Sequence, residues 1–395
     1  MRFMTRKGAI VGAAYTRFGE QWERSLRDLS KEAGLLALVD SGLDGRDIQA
    51  MYVGNMSAGR FIGQEHLGAM AAEHAGLSPI PATRCEAACA SGALAFKTAC
   101  MAIQSGRHDV VMAAGAEKMT DLKGTDAIAT LMGAGDQEWE SSIGLTFTGL
   151  YALMARRHMA QYGTTREQMA MVSVNNHRNG LLNERAQFRQ EITVEQVLKS
   201  PMISDPLTLL DCSPITDGAA AIILASEEVA RKLDNPVWVL STRQATDSLA
   251  LHNRASLTEI MATKVAAQQA YRESGLGPGS IDVAEVHDCF SINEIIAMED
   301  LGFCPKGQGG RFVEDGKIAR EGEIPVNTTG GLKSVGHPVG ATGIRQLADL
   351  VMQLRGKGGP MQVRGARTGL ALNIGGSGAT SVVSILANGN ASARV

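Results

Sequence analysis

The sequence predicts an α/β protein whose sheets are covered by helices on both faces. Short apolar runs alternate with stretches that carry apolar residues at helical spacing, a pattern typical of buried strands joined by helices. Glycine accounts for 45 of the 395 residues and aromatic residues for only 4%, which favours closely packed elements and many tight turns. A faint internal repeat indicates two similar halves, and a chain of this length usually forms two or three domains.

The first strand and the first helix have clear signals. Residues 10–14 form a short apolar run that predicts a buried strand. Ser25, with Asp28 three residues later, is a helix-start signature. The predicted helix carries apolar residues on one face at helical spacing, namely Leu26, Leu29, Ala33, Leu36 and Ala37.

Two further strands follow in the first half. Residues 109–114 read Asp-Val-Val-Met-Ala-Ala and come after a helical stretch that stops at Gly106. Residues 219–225 read Ala-Ala-Ala-Ile-Ile-Leu-Ala and precede a predicted helix over residues 226–233. Both strands are continuous apolar runs, as expected for strands buried on both faces.

The internal repeat divides the chain near residues 234–236. Segment 218–224 resembles segment 378–384 in its glycine start and apolar run. In each half a predicted helix also follows a reactive side chain in a loop of small residues: helix 91–104 after Cys89, and helix 341–354 after His337.

Three structural units follow from this division. The first half comprises residues 1–120 and 212–234, and the second half comprises residues 235–395. Residues 121–211 do not fit the repeat and are richer in charge and in helix signals. We therefore expect them to form an inserted domain that packs over the first half.

Composition excludes several function classes. The formal net charge is −3, from 38 basic and 41 acidic residues, whereas nucleic-acid binders usually carry a concentrated basic excess. No apolar run approaches the roughly 18 residues of a membrane span. The six cysteines form no Cys-x-x-Cys motif, and the apolar run at residues 8–14 is too short for a secretory signal. Free thiols without an export signal predict a cytoplasmic protein.

Cys89 is the first candidate for chemistry. It lies in Glu-Ala-Ala-Cys-Ala-Ser-Gly, just before a predicted helix, where unpaired N–H groups and the helix dipole favour negative charge. A thiol there can have its pKa lowered from about 8.5 to between about 3.5 and 7.5. This predicts a nucleophile, with a small buried cysteine as the alternative. Cys85 and Cys100 lack such a feature and are expected in the core.

A second candidate segment, residues 285–290, reads Glu-Val-His-Asp-Cys-Phe. It follows a strand-like run and precedes a helical stretch, and the ends of strands are where α/β proteins place chemistry. His287 and Cys289 are therefore candidates. Their spacing matches no metal-ligand pattern, and an accidental polar corner is the alternative.

Two glycine-rich segments complete the set. His337 lies in a Gly-His-Pro sequence at a helix start, and proline restricts the residue before it to an extended conformation, so this histidine is a candidate general base. No Walker A pattern is present, which excludes a phosphate loop of that kind. Residues 372–378 predict a strand-to-strand turn with three glycines, whose N–H groups could form an oxyanion hole. A plain hairpin turn is the alternative.

Taken in order, these four segments resemble the thiolase superfamily along nearly the whole chain. Cys-Ala-Ser-Gly at Cys89 and Gly-His-Pro at His337 match its motifs directly. The chain is most similar to the sterol-carrier-protein-type and archaeal acetoacetyl-CoA thiolases, in which His-Asp-Cys-Phe replaces Asn-Glu-Ala-Phe. Asn373 stands where other thiolases have the acid/base cysteine of a Cys-x-Gly motif, and in the resembled subgroup Cys289 takes that role.

The resemblance implies a thiolase fold and an assembly. The fold would have two βαβαβαββ halves in a five-layered αβαβα arrangement with an inserted loop domain. The assembly would be a homodimer or a tetramer. Archaeal relatives also assemble with hydroxymethylglutaryl-CoA synthase and a small bridging protein, a partnership that the sequence leaves open here. Neither a cofactor nor a metal is implied, because CoA thioesters are the substrates.

The resemblance also implies a reaction, the reversible Claisen condensation of two acetyl-CoA to acetoacetyl-CoA and CoA, feeding the mevalonate pathway. His337 would deprotonate Cys89, and Cys289, titrating near neutral pH, would move the α-proton. His337 and a group or water held by His287 would stabilise the enolate, and the N–H groups of Cys89 and Gly375 would hold the second oxyanion. The alternatives are a 3-ketoacyl-CoA thiolase for longer chains, a decarboxylative ketosynthase of the same fold, and a catalytically silent subunit.

Overall fold

The computed structural model describes residues 6–389, so residues 1–5 and 390–395 of the two predicted halves lie outside the described part. The strands are β1 Gly8–Tyr15, β2 Ala50–Gly54, β3 Ala82–Cys85, β4 Val110–Glu117, β5 Met202–Ser204, β6 Leu207–Thr208, β7 Gly218–Ser226, β8 Val237–Thr246, β9 Val283–Glu285, β10 Thr368–Gly375 and β11 Thr380–Ala387. The α-helices are α1 Leu26–Ser41, α2 Ala58–Phe61, α3 Leu67–His74, α4 Ser91–Gln104, α5 Gly124–Leu131, α6 Phe147–Tyr162, α7 Arg166–Gly180, α8 Val194–Lys199, α9 Glu227–Ala230, α10 Met261–Ser274, α11 Ser291–Asp300, α12 Gly309–Glu314, α13 Gly331–Val335 and α14 Thr342–Leu354.

Nine of the strands form one mixed sheet in the order β3-β2-β4-β7-β1-β8-β11-β10-β9. Its two halves meet at β1 and β8, which pair through Ala9–Trp238 and Ile10–Val237. On either side of this narrow junction, corresponding strands follow one another in the same order: β1, β7 and β4 match β8, β11 and β10. The duplicated thiolase fold predicted from the sequence is confirmed.

Helices separate and cover the two half-sheets in five layers. α1 packs on the outer face of the first half, α10 packs on the outer face of the second, and α4 and α14 lie between the halves. Large apolar cores lie between the layers, one beneath α1, one around α4 and α14, and one beneath α10. The central core holds Phe96, Ile103, Ile222, Leu350 and Leu386, all fully buried.

Local signals account for the elements that position the site. At the start of α1, Ser25 Oγ accepts a hydrogen bond from the Asp28 N–H at 3.2 Å, and Asp28 Oδ2 accepts one from the Ser25 N–H at 2.9 Å. α4 has the predicted bounds, and α14 begins one residue later than predicted. Cys85 and Cys100 are buried as expected. Among residues 6–389, no helix combines the length and apolar character that a membrane crossing requires.

Three details differ from the sequence expectations. Leu36 is 39% exposed, because it lies at the margin of the α1 face that packs on the sheet. The helix predicted over residues 226–233 ends at Ala230. In the second half, the strand expected beside β9 is a single parallel bridge between Ala284 and Val326. Pro325 precedes Val326 and has no N–H to extend the pairing.

The inserted segment between β4 and β7 contains α5 to α8 and the β5–β6 hairpin. α6 packs on α11, and α7 packs on α11, α12 and α13, all of the second half, while α5 contacts α2 of the first half. Tyr151, Met154 and Met169 share a core with Ile295 and Met298. The expectation that the insertion packs over the first half is therefore wrong for α6 and α7, whose apolar faces need the helices of the second half. The boundaries drawn at residues 121 and 211 stay a prediction.

The amino ends of α4 and α14 touch through their backbones at two glycines. A Cβ on Gly92 would lie 2.7 Å from the Gly340 carbonyl oxygen, and a Cβ on Gly343 would lie 2.4 Å from the Ala93 nitrogen. Neither distance leaves room for a side chain. The contact fixes the loops before the two helices, which carry the candidate nucleophile and the candidate base, relative to each other.

Gly92→Ala is expected to destabilise the protein by about 1–3 kcal/mol, because the atoms it meets are backbone atoms that cannot move aside. Gly124→Ala is the matched control. It lies in the first turn of α5 with nothing within 4 Å of a new Cβ, so stability should be unchanged or rise by up to about 1 kcal/mol. Urea unfolding measures both. Equal stability of the two variants would contradict the close contact.

Candidate active site

Four segments bring the candidate side chains to one place between the two halves. Cys89 lies between β3 and α4, His287 and Cys289 lie between β9 and α11, His337 lies just before α14, and Asn373 lies on β10. The Cys89 sulfur and one ring nitrogen each of His287 and His337 all lie within 4.8 Å of one another. These three atoms are close enough to ligate a metal ion, and the expectation that none is bound stays a prediction.

A strained turn presents Cys89. Ala88 has a positive φ of 51°, a left-handed conformation that L-residues with a Cβ adopt at a cost. The Ser91 hydroxyl holds the turn by accepting from the Ala87 N–H at 2.9 Å and donating to the Ala88 carbonyl at 2.6 Å. Gly375 allows this turn to lie against β10, because a Cβ there would be 2.3 Å from the Ala87 carbonyl oxygen.

The ring of His337 is held in one orientation and one tautomer. Its Nδ1 lies 2.7 Å from Thr342 Oγ1, and that hydroxyl donates to the Pro338 carbonyl at 3.0 Å. The hydroxyl oxygen can therefore only accept from His337, which places the ring proton on Nδ1 and the lone pair on Nε2. Burial lowers the pKa of His337 to about 3, so the ring is neutral. The unprotonated Nε2 can therefore serve as a base for the nearby Cys89 thiol.

Asp288 ties the His-Asp-Cys-Phe segment to the loop that carries His337. Its carboxylate accepts from the backbone N–H groups of Leu332 at 2.7 Å and Lys333 at 3.2 Å, at the start of α13. Asn176 of the insertion donates to it at 2.9 Å. α13 ends immediately before Gly-His-Pro, so this carboxylate joins two of the predicted motifs.

His287 is fully enclosed and faces His337. The two rings are 5.0 Å apart at 83°, and the Nδ2 atom of Asn373 lies 3.1 Å from His287 Nδ1. Burial, with the neighbouring His337, holds the pKa of His287 well below its usual range. The ring is therefore in its neutral form at rest.

Both thiols of the site are neutral at rest. Burial raises the pKa of Cys89 to about 12, although the N–H groups of Gly376 and of Cys89 itself favour the thiolate. Burial also raises the pKa of Cys289 well above its usual range, and the neighbouring Cys89 thiol acts in the same direction. The expectations of a thiolate at Cys89 and of a near-neutral pKa at Cys289 are wrong, because desolvation outweighs the helix dipole and the local donors.

Three residues near the chemistry had not been singled out in the sequence. The N–H that faces the Cys89 sulfur belongs to Gly376, one residue beyond the predicted Gly375, whose role as a donor stays a prediction. Tyr151 donates to the Gly376 carbonyl at 3.1 Å and packs its ring on Phe290 at 4.7 Å. Tyr151 sits inside an ordinary helical pattern of the insertion, so no local signal marks it. Thr342 lies four residues after Pro338, so the spacing of a helix start could have indicated that its hydroxyl lies beside His337.

A cavity of about 240 Å³ opens onto the site. Cys89, Cys289 and His337 lie on its wall. The rest of the lining is mainly apolar and comes largely from the insertion and the loop after it, including Met119, Leu131, Phe147, Ile203, Leu209 and Ile215. An apolar lining around a few convergent polar groups is the usual form of a small-molecule site.

Family comparison agrees with this arrangement. The model of the thiolase N-terminal domain matches residues 8–228, and a thiolase C-terminal domain-like model matches residues 243–388. The chain belongs to the thiolase family. Each half of this thiolase matches one of the two domain models. The protein is an acyltransferase.

Individual relatives support the subgroup seen in the motifs. This thiolase is 58% identical over 382 residues to the acetyl-CoA acetyltransferase of Methanothermobacter thermautotrophicus, covering 96% of this chain and 99% of that protein. It is 37% identical to sterol carrier protein 2 of Bos taurus, over 94% of this chain and 71% of that protein. Among solved structures, an Ltp2-ChsH2(DUF35) aldolase superposes with a TM-score of 0.84 at 27% identity, over 96% of this chain and 97% of that one. The resemblance to archaeal and sterol-carrier-type thiolases is confirmed.

Thr342→Val is expected to slow alkylation of Cys89 by iodoacetamide about 10²-fold, the lower end of what a general base contributes. Without the hydroxyl, nothing keeps the proton of His337 on Nδ1. Thr342→Ser keeps the hydroxyl and should react at nearly the rate of the unmodified protein. Alkylation is followed by intact-mass spectrometry with peptide mapping, and equal rates for the two variants would rule out this function of Thr342.

Proposed function

We propose that this thiolase joins two acetyl-CoA molecules to form acetoacetyl-CoA and CoA, reversibly and through an acetyl group on Cys89. The observation that carries the proposal is the grouping of Cys89 with two neutral histidines, beside a second thiol, Cys289, on the same cavity wall. Covalent capture divides a difficult acyl transfer into two easier steps. The archaeal relative named acetyl-CoA acetyltransferase supports the choice of substrate.

In the first half-reaction Cys89 is acetylated. His337 Nε2 takes the thiol proton as the sulfur forms a bond to the carbonyl carbon of acetyl-CoA. The N–H groups of Cys89 and Gly376, which both favour the thiolate of Cys89, hold the oxyanion beside the predicted donor Gly375. The bond to the CoA sulfur then breaks, and the departing thiolate takes its proton from Cys289. A neutral Cys289 suits this step, because an acid must hold its proton at rest.

In the second half-reaction the carbon–carbon bond forms. The Cys289 thiolate left by the first half-reaction removes an α-proton from a second acetyl-CoA. Protonated His337 and the ring of His287 stabilise the enolate oxygen. The enolate carbon attacks acetyl-Cys89, and the cysteine sulfur leaves with the proton of His337. Every group thereby returns to its starting protonation state.

Other functions fit the site less well. A decarboxylative ketosynthase needs no acid/base thiol, because loss of carbon dioxide creates the carbanion, and Cys289 would then have no task. A silent subunit or an aldolase has no need of a nucleophile with its own base. A thiolase for longer 3-ketoacyl chains remains the second candidate, since the apolar cavity offers an acyl chain a favourable lining.

The oligomeric state is proposed from the edge strand, and the partners, pathway and location are proposed from the resemblance. β3 ends the sheet beside the nucleophile, and an exposed edge strand can pair with a second copy, so we expect a homodimer or a tetramer. A complex with hydroxymethylglutaryl-CoA synthase and a bridging protein, a place in the mevalonate pathway, a cytoplasmic location and the absence of a cofactor stay predictions from the resemblance.

Acetyl-CoA alone is expected to yield acetoacetyl-CoA, with one acetyl group mapped to Cys89. In the thiolysis direction, kcat/KM should be higher for acetoacetyl-CoA than for longer 3-ketoacyl-CoAs. Chains of about six or more carbons suit the comparison, because their extra methylenes would contact the apolar cavity. A requirement for malonyl-CoA would favour the ketosynthase, and a preference for long chains would favour the second candidate.

Cys289→Ser is expected to separate the two half-reactions. A serine hydroxyl is far too weak an acid to exchange protons near neutral pH, so deuterium exchange at the acetyl-CoA methyl group and condensation should fall about 10²–10⁴-fold. Cys89 should still be acetylated, more slowly, because His337 is intact. Exchange that proceeds at the unmodified rate in this variant would remove Cys289 from the mechanism.

A further inference from the structure

Within residues 6–389, the amide of Asn373 makes a single hydrogen bond, and that bond is to the active-site ring of His287. Its Nδ2 lies 3.1 Å from His287 Nδ1, and both side chains are buried, with 1% of each exposed. An amide nitrogen can only donate, so Nδ1 of His287 is the acceptor and carries no proton. A neutral imidazole with an unprotonated Nδ1 has its proton on Nε2, the ring nitrogen that Asn373 leaves free to donate.

The surroundings of the amide oxygen favour this orientation. Oδ1 of Asn373 has no hydrogen-bond partner among the described residues. It lies where two helices begin: a Cβ on Gly343, in the first turn of α14, would be 2.3 Å from this oxygen and 2.4 Å from the nitrogen of Ala93, in the first turn of α4. Two converging helix amino ends are positively polarised. They attract the carbonyl oxygen and turn the NH₂ group towards His287.

The neighbours of the two histidines therefore hold the ring protons on opposite nitrogens. Thr342 accepts from His337 and leaves a lone pair on Nε2, whereas Asn373 donates to His287 and leaves a proton on Nε2. One ring can take a proton from a thiol, and the other can donate a hydrogen bond to a developing oxyanion. A buried amide that served only to fill space would be replaced at lower cost by an apolar side chain, because its unpaired oxygen is penalised.

We propose that Asn373 is a positioning residue that keeps the proton of His287 on Nε2, so that this ring donates to the enolate oxygen of the second half-reaction. The inference rests on the proposed function and assigns a task to a residue that stands where other thiolases have their acid/base cysteine. Asn373 moves no proton itself. Its effect is confined to the step in which the enolate forms.

Asn373→Asp tests the proposal, because a carboxylate can only accept and would draw the ring proton to Nδ1. In ¹⁵N–¹H spectra of protein labelled at histidine, the signals of His287, identified by their loss in His287→Gln, should show the proton on Nε2 in the unmodified protein and on Nδ1 in the variant. Exchange at the acetyl-CoA methyl group should fall about 10²–10³-fold, the usual loss of one oxyanion donor. Acetylation of Cys89 should stay within a few-fold.

Asn183→Asp controls for the general cost of a new buried carboxylate, because Asn183 is also buried but donates to Tyr15 and to the Thr329 carbonyl. It should change stability without changing the ratio of exchange to acetylation. Asn373→Ala, which neither donates nor accepts, should lose exchange to a lesser extent than Asn373→Asp.

Two outcomes would overturn the proposal: a proton on Nδ1 of His287 in the unmodified protein, or parallel loss of exchange and acetylation in Asn373→Asp. The proposed function fails separately, if the unmodified protein neither acetylates Cys89 nor exchanges the methyl protons of acetyl-CoA.

Discussion

The contact between the amino ends of α4 and α14 is the constraint on which the site depends. Gly92 and Gly343 let two helix backbones approach with no side chain between them. Each helix is preceded by a loop that cannot move independently of it, one with Cys89 and one with His337. A nucleophile and its base from opposite halves of a duplicated fold therefore meet at a distance set by backbone atoms rather than by flexible side chains.

Burial at this contact determines what the groups can do. Desolvation raises the pKa of both thiols and lowers that of both imidazoles, so the resting site holds neutral acids and neutral bases. Because the thiols and imidazoles are neutral, their behaviour depends on which ring nitrogen of each imidazole carries its single proton. The hydrogen bonds of Thr342 and Asn373 determine this position, so two residues that move no proton themselves influence the chemistry.

Much of the fold could be predicted from the sequence, because its signals are local. The Ser25–Asp28 capping pair, the apolar run of β7 and the glycines before His337 each depend on residues close in the chain. The features that the sequence did not predict depend on contacts between segments that are distant in the chain. The side on which α6 and α7 pack, the exposure of Leu36 and the role of Tyr151 are all decided by partners from another part of the fold. The thiol pKa values failed for the same reason, since the helix start is visible in the sequence and the enclosure that overrides it is not.

The junction between β1 and β8 consists of two residue pairs, so little of the backbone ladder joins one half of the chain to the other. The nucleophile belongs to the first half, and His287, Cys289, His337 and Asn373 belong to the second. A small relative displacement of the halves would part the reacting groups while each half kept its own strands and helices. The shared core around α4 and α14, more than the strand ladder, therefore prevents such a displacement, so substitutions in that core should lower turnover by moving the reacting groups apart.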